Sequence, residues 1–524
     1  MSLSSSALST LGFSKTDGEL NRWWDMYTYE INFEKNNTYI ISAQNIDLGE
    51  NLMILLLDED YNLLEYNLDS YGSEDPSISF ESTISQKVRL TIKTQKDEDN
   101  DYVVPYAIGI NNIEHVEQSA ETDVELPSNS QFKDKAIRYF DSLDDFSITN
   151  LDKIIGFATD DDNLVSLDEL ETLSYMSQHL DKFLLEKDID QNKINYYSYV
   201  LSAVVGSNPA NEYWTGGVQY RDKREDLGNL SVGSNSDHLN LLRRKWFRGE
   251  DLPLARMDGD AAAGETPRLL SYEKASGPLF SGEISYNQVA QGGAGTCYLL
   301  SALASVAKTN PSQIQSMFID NNDGTYGVRF YGWGAEAWVT VNKELPTETI
   351  SNNDSLTLAG SFRNSLDVKD PSTNSLWAGL AEKAYAQINE TGFLRRVMPE
   401  NSYQAIEYGL AIALDNITGL KYKELNDIAD VLTAANKSQE IFVGSDVFYT
   451  DGIVFNSRQA AEEFAPLQFV SGHAYSLIDF DKSSDEFTIY NPWGELGLGH
   501  DSQFNISSSD LSYLMLNGLD LHTI

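Results

Sequence analysis

"QGGAGTCYLL", residues 291–300, holds the only cysteine in a chain of 524 residues, and how that thiol is read decides the fold of the chain's second half. The sequence after it, "YLLSALASVAKTNP", places Leu299, Leu300, Leu303 and Val306 at helical spacing, and Asn310-Pro311 ends the pattern. Cys297 therefore stands in the first turn of a helix, where the dipole favours a thiolate. Gly292, Gly293 and Gly295 let backbone approach a substrate closely. Gln291, six residues upstream, can aim its side-chain amide at a developing oxyanion beside the Cys297 N–H. Taken alone, the stretch reads better as a buried free cysteine behind a loop, because free cysteine is among the most buried residue types.

A partner base decides between these readings. Five of the six histidines lie in polar or linker-like surroundings; the sixth, His473, lies in "FVSGHAYSLIDFD", followed by the turn-like "DKSS" and then "EFTIYNPWG". A hairpin turning near Ser483 sets Asn491 opposite Tyr475, and His473 shares a face with Tyr475 because strand side chains alternate. His473 and Asn491 then become diagonal neighbours about 7–8 Å apart in backbone terms, a gap that side chains can close. Pro492 stops the second strand, and Trp493 can cover the contact from water. A cysteine, a histidine and an asparagine so arranged suit a hydrolase in which His473 takes the thiol proton and Asn491 orients the ring.

These blocks, "QGGAGTCYLL", "SGHAYS" and "NPWG", resemble the catalytic blocks of the calpain-like cysteine peptidases. "LWAGLAEKAYAQIN" (376–389) resembles the helix that the family places between its thiol and histidine halves. "SGPLFSGEISYNQVAQG" and "NDGTYGVRFYGWGAEAWVTVNKELP" are similar to bacterial members. The resemblance runs from about Trp246 to the C-terminus. It implies Cys297 as nucleophile, His473 as general base, Asn491 as its orienter, Gln291 as oxyanion donor and Trp493 as cleft wall. It also implies a papain-like two-lobed fold that hydrolyses peptide bonds through a thioester. The family's usual acid before the cysteine is Thr296 here. Three acids that hold calcium in animal calpains correspond to Gln288, Ser375 and Gly497, so no cofactor is expected for catalysis. The rival readings are a catalytically silent extracellular binding or adhesion protein and a translocated effector protease.

Upstream, the chain changes character. In "YTYEINF", Tyr27, Tyr29, Ile31 and Phe33 alternate with polar residues, and "TYIISA", "NLMILLLD", "VRLTIKTQ" and "YVVPYAIGI" continue the strand pattern. Residues 18–113 suit a β-sandwich and resemble the bacterial pre-peptidase C-terminal domain. An acidic linker follows at 114–131. A helical intermediate or pro-region is expected at 132–240, with the catalytic domain at 241–524, for an α+β protein as a whole. "ATDDDNLVSLDE" (158–169) is similar to an EF-hand loop, with Asp160, Asp162 and Glu169 as candidate ligands; Ala158 and Asn163 stand where the loop rule wants an acid and a glycine. It leaves room for calcium as a structural ion.

Composition narrows the partners. Against 37 basic residues stand 80 acidic ones, a net charge of −43, which repels nucleic acid and anionic membrane. Protein or peptide substrates are the partners expected. No apolar run reaches the length of a membrane span, and the first residues lack the basic end and apolar stretch of a signal peptide. A secreted or extracellular location is expected, by a trimmed signal or another route. The small, polar stretches at 114–131 and 251–267 are candidate self-cleavage sites.

Overall fold

In the computed structural model, the described residues are 131–257, 268–357, 375–445, 469–494 and 501–524, less short gaps at 144, 185–186, 188, 333–334, 351–353, 395–397, 408–411, 438, 440, 470–472 and 517–518, together with the strands between 14 and 114. The linker residues 115–130, the stretch 258–267 and Gly497 lie outside them. The chain divides into two compact units, Met1–Glu125 and, apart from a few residues near Trp333, Leu126–Ile524.

The first unit is all strand among its described residues. Five strands order as Ser14–Asp17, Trp24–Phe33, Gln86–Gln95, Leu52–Leu57 and Leu63–Leu68; three more order as Ser77–Ser82, Asn37–Asn45 and Tyr106–Glu114. All pairings are antiparallel. The alternation read in "YTYEINF" falls in register with a buried face: Tyr29 pairs with Leu90 and Ile31 with Val88, and Leu56, Val88 and Leu90 are fully buried. The last of these strands begins at Tyr106, directly after Pro105, which has no N–H to give a ladder.

The second unit is built on two cores. Helices Gln131–Asp141, Ile148–Gly156, Leu167–Gln178, Gln191–Val205 and Ser236–Trp246 supply most of one, and the buried Ile319 and Trp338 from the following three-stranded sheet complete it. Tyr196 joins them: its ring lies 5.5 Å from Trp338 and its hydroxyl 2.7 Å from Thr340 Oγ1. Asp152 accepts from both Arg243 (2.7 Å) and Arg248 (2.9 Å), pinning one helix to another. Thus 131–257 share an apolar core with the residues that follow.

The three acidic candidates in 158–169 are engaged locally. Glu169 accepts from the Ser166 N–H at 2.7 Å and completes a capping box. Asp162 accepts from the Leu164 N–H at 2.9 Å, and Asp160 pairs with Lys135. Asn163 takes the positive φ of 69° at the position where the loop rule calls for glycine.

The other core lies under a six-stranded sheet, ordered Lys423–Leu425, Leu519–Thr523, Ile441–Ser445, Ala474–Asp481, Glu486–Tyr490 and Gln503–Ser507. Tyr475, Leu477, Phe487, Ile489 and Leu521 fill it. The Cys297–Thr309 helix is buried from Tyr298 to Ala307 and docks on this sheet. Ser476 Oγ donates to the Ser301 carbonyl at 2.7 Å and Ser305 Oγ to that of Ile441 at 3.0 Å.

One buried ion cluster ties 245–251 to the helix Trp377–Asn389. Lys245 Nζ donates to Asp251 and, at 2.8 Å, to Glu390; Asp251 also accepts from the N–H groups of Thr215 (2.7 Å) and Gly216 (2.6 Å). One ammonium cannot balance two buried carboxylates. Burial pushes the Glu390 carboxyl up to about 8, against the pull of Lys245. A carboxyl raised in the fold contributes stability that is full below its ordinary value of 4.5 and is lost as pH climbs through about 8. Glu390→Gln keeps the acceptor for Lys245 and removes the titration. Its melting temperature should therefore gain on that of wild type between pH about 5 and about 8, then hold a constant lead; parallel melting curves across that range would refute the assignment.

Candidate active site

The hairpin expected near Ser483 has the expected register at its inner end: Ser476 pairs with Tyr490 and Leu477 with Ile489. A bulge between Leu477 and Asp479 shifts the outer end by one residue. His473 stands just before one strand and Asn491 just after the other, so both leave the ladder at the same end. They are 5% and 1% exposed, and His473 Nε2 lies 2.9 Å from Asn491 Oδ1.

That contact sets the tautomer. The Trp493 backbone N–H, which can only donate, also reaches Asn491 Oδ1, at 3.1 Å. The amide therefore presents its oxygen, and Nε2 must carry the ring proton. Nδ1 is left as the accepting nitrogen. Trp493 lies over the imidazole with ring centroids 4.3 Å apart and planes at 32°, while Tyr475 meets it edge-on at 4.8 Å.

Cys297 is partly exposed and opens its helix behind Thr296. The backbone N–H groups of Ala474, Tyr298 and its own residue lie near its sulfur and favour the charged form. Ala474 is the residue next to His473, so the thiol stands beside the segment that carries the imidazole. Burial pushes the thiol up, and those three donors only partly pull it back.

Gln291 is clamped from both ends. Its N–H donates to the Pro492 carbonyl at 2.6 Å and its Nε2 to the Ala294 carbonyl at 2.7 Å. The Tyr490 hydroxyl donates to the Val289 carbonyl nearby. Two amide atoms in this region are buried without a hydrogen-bond partner among the described residues: Gln291 Oε1 and Asn491 Nδ2. Gln288 and Ser375 both serve the fold. Gln288 donates to the carbonyls of Ser281 (3.1 Å) and Glu283 (3.0 Å) and accepts from Trp377 Nε1 (2.8 Å); Ser375 Oγ accepts from the Ser281 N–H at 3.2 Å.

Two carboxyl groups that the sequence reading passed over also meet the cysteine loop. Glu407 Oε1 accepts from the Gly295 N–H at 2.9 Å, and Glu382 accepts from the Thr296 hydroxyl. For Glu382 a signal existed: "EK" interrupts an otherwise apolar helix, and all of Trp377–Asn389 is buried.

Residues 259–508, which include Cys297, His473 and Asn491, match the family described as calpain family cysteine protease. The chain carries a calpain-family cysteine protease domain. Among curated relatives, human Calpain-9 is 29% identical over 299 residues, covering 52% of this chain and 37% of the relative. The calpain-type cysteine protease DEK1 of Zea mays is 28% identical over 224 residues, covering 41% and 9%. The calpain-like protease palB/RIM13 of Debaryomyces hansenii is 24% identical over 220 residues, covering 41% and 25%. The chain thus spans little more than a third of Calpain-9 and far less of DEK1. Among the described residues, no helix is long and apolar enough to cross a membrane.

The calpain-type domain depends on a tight turn after Asn491. Gly494 has φ 65°, and a Cβ there would come within 3.3 Å of the Ala290 Cβ. Gly494→Ala should destabilise the domain by about 1–2 kcal/mol, the cost of a left-handed L-residue, read by chemical denaturation. The same variant should lower kcat/KM, because the turn carries Asn491 and supports Gln291.

Proposed function

We propose that the chain is a cysteine endopeptidase in which Cys297 attacks the peptide carbonyl, His473 moves the proton and Asn491 holds the imidazole. The observation that carries this reading is the 2.9 Å contact of His473 Nε2 with Asn491 Oδ1, with the backbone N–H of Ala474, the next residue after His473, near the thiol. His473 Nδ1 accepts the thiol proton, and the resulting imidazolium offsets the burial that otherwise holds the sulfur neutral. The sulfur bonds to the carbonyl carbon. The Cys297 N–H and the second Nε2 hydrogen of Gln291 receive the oxyanion. The imidazolium gives its proton to the leaving amine, and the same nitrogen then activates water to hydrolyse the thioester. Trp493 shields the His473–Asn491 contact from water.

The wider reading is a papain-like two-lobed enzyme of bacterial type that acts on protein outside the cell, with a β-sandwich accessory ahead of it. The strand pattern of 14–114 and the strongly acidic composition support it. Turnover independent of calcium belongs to the same proposal. Gln288, at one of the positions where a family ligand would stand, spends its amide on Ser281, Glu283 and Trp377.

A fluorogenic peptide or casein assay tests the core of this. Cys297→Ala should abolish hydrolysis with the fold intact. His473→Ala should cost at least about a thousandfold in kcat, and Asn491→Ala less, because it loosens only the ring's orientation. Full activity in Cys297→Ala would sink the mechanism. Wild-type turnover should be the same in excess chelator and in millimolar calcium at fixed ionic strength; a collapse in chelator with unchanged circular dichroism would show a calcium-gated core.

A further inference from the structure

We infer that Glu382 is a positioning residue for Cys297, acting through the Thr296 hydroxyl; the inference rests on the cysteine peptidase reading of the same site. Thr296 occupies the N-cap of the catalytic helix, where a threonine ordinarily turns its side-chain oxygen back to the N–H of the second or third helical residue. Here it makes no such cap, and its φ of −103° and ψ of 18° lie outside the extended region usual for that position. The hydroxyl instead donates across to Glu382 on the Trp377–Asn389 helix. Both residues are fully buried, so water does not compete for the bond.

The consequence falls on the donors at the helix start. With the Thr296 side chain turned away, no side chain caps the helix start, and the N–H groups of Cys297 and Tyr298 lie near the Cys297 sulfur. They are among the four orphan donors of a helix N-terminus. In a peptidase the Cys297 N–H is also the donor that the oxyanion needs. Neighbouring bonds hold the rest of the loop still: Glu407 Oε1 accepts from the Gly295 N–H at 2.9 Å, and the Tyr298 hydroxyl donates to the Ile406 carbonyl at 2.8 Å. The Gly295 and Tyr298 bonds reach the 404–407 turn, and the Thr296 bond reaches a second, fully buried helix. Position and direction of the thiol are thereby set from outside its own helix.

Because Cys297 is the only cysteine, uptake of iodoacetamide reads this thiol alone and does not require turnover. Thr296→Val keeps the shape and removes the donor. It should slow alkylation at neutral pH and lower kcat by about tenfold to a hundredfold, as small misplacements of reacting groups do, with KM within about twofold. Thr296→Ser restores the hydroxyl and should return both readouts to within about threefold of wild type; Glu382→Gln, which keeps an acceptor oxygen, should do no worse. Thermal unfolding of each variant confirms that the compared proteins are folded. Wild-type alkylation and kcat in Thr296→Val would overturn the inference. So would a Thr296→Ser protein as impaired as Thr296→Val, or a folded Glu382→Gln protein with as large a loss. If the wild-type chain hydrolyses no peptide, the peptidase reading fails, while the alkylation series still decides whether Glu382 positions the thiol.

Discussion

The seating of the Cys297–Thr309 helix on the strand that begins at Ala474 is the contact on which the site depends. Cys297 and the segment of His473, 176 positions later, come together because that helix docks on that strand. The lock is polar as well as apolar: the Ala474 N–H lies near the sulfur, and the Ser476 hydroxyl donates to the Ser301 carbonyl one turn further along. Inside a protein such bonds gain strength from the absence of water and become costly if left unmade. The docking therefore has little freedom to slide.

The site's electrostatics follow from burial. Burial pushes the partly covered thiol up, and the backbone donors near it only partly pull it back. The His473 imidazole is oriented by an amide oxygen that also receives the Trp493 N–H. Among the described residues, Asn491 Nδ2 and Gln291 Oε1 are buried without a hydrogen-bond partner, an exception to the usual pairing of buried polar groups.

The helical stretch ahead of the calpain-type domain is part of the same packed body. Trp338 and Ile319 sit in a core made largely by helices from before residue 250, and the Lys245–Asp251–Glu390 cluster joins the two at a second point. A buried network of this kind is only marginally favourable in net energy, but removing one member leaves a stranded charge. That makes the junction specific rather than merely sticky.

Much of the site was legible in sequence because its parts are local. Cys297 and its helix lie in one run of residues, and His473 and Asn491 lie in one hairpin whose register follows from a turn near Ser483. Periodicity reports such things directly, since each strand or helix must present one face to a core. The alternation of Tyr27, Tyr29 and Ile31 was readable for the same reason. What sequence alone did not reveal is everything that depends on distant elements meeting. Glu382 and Glu407 touch the cysteine loop from 86 and 112 positions away, and Glu390 meets Lys245 across 145. No local period encodes those pairings. The direction of the thiol's shift was likewise decided by tertiary burial, because desolvation depends on what packs over a group and not on its place in a helix.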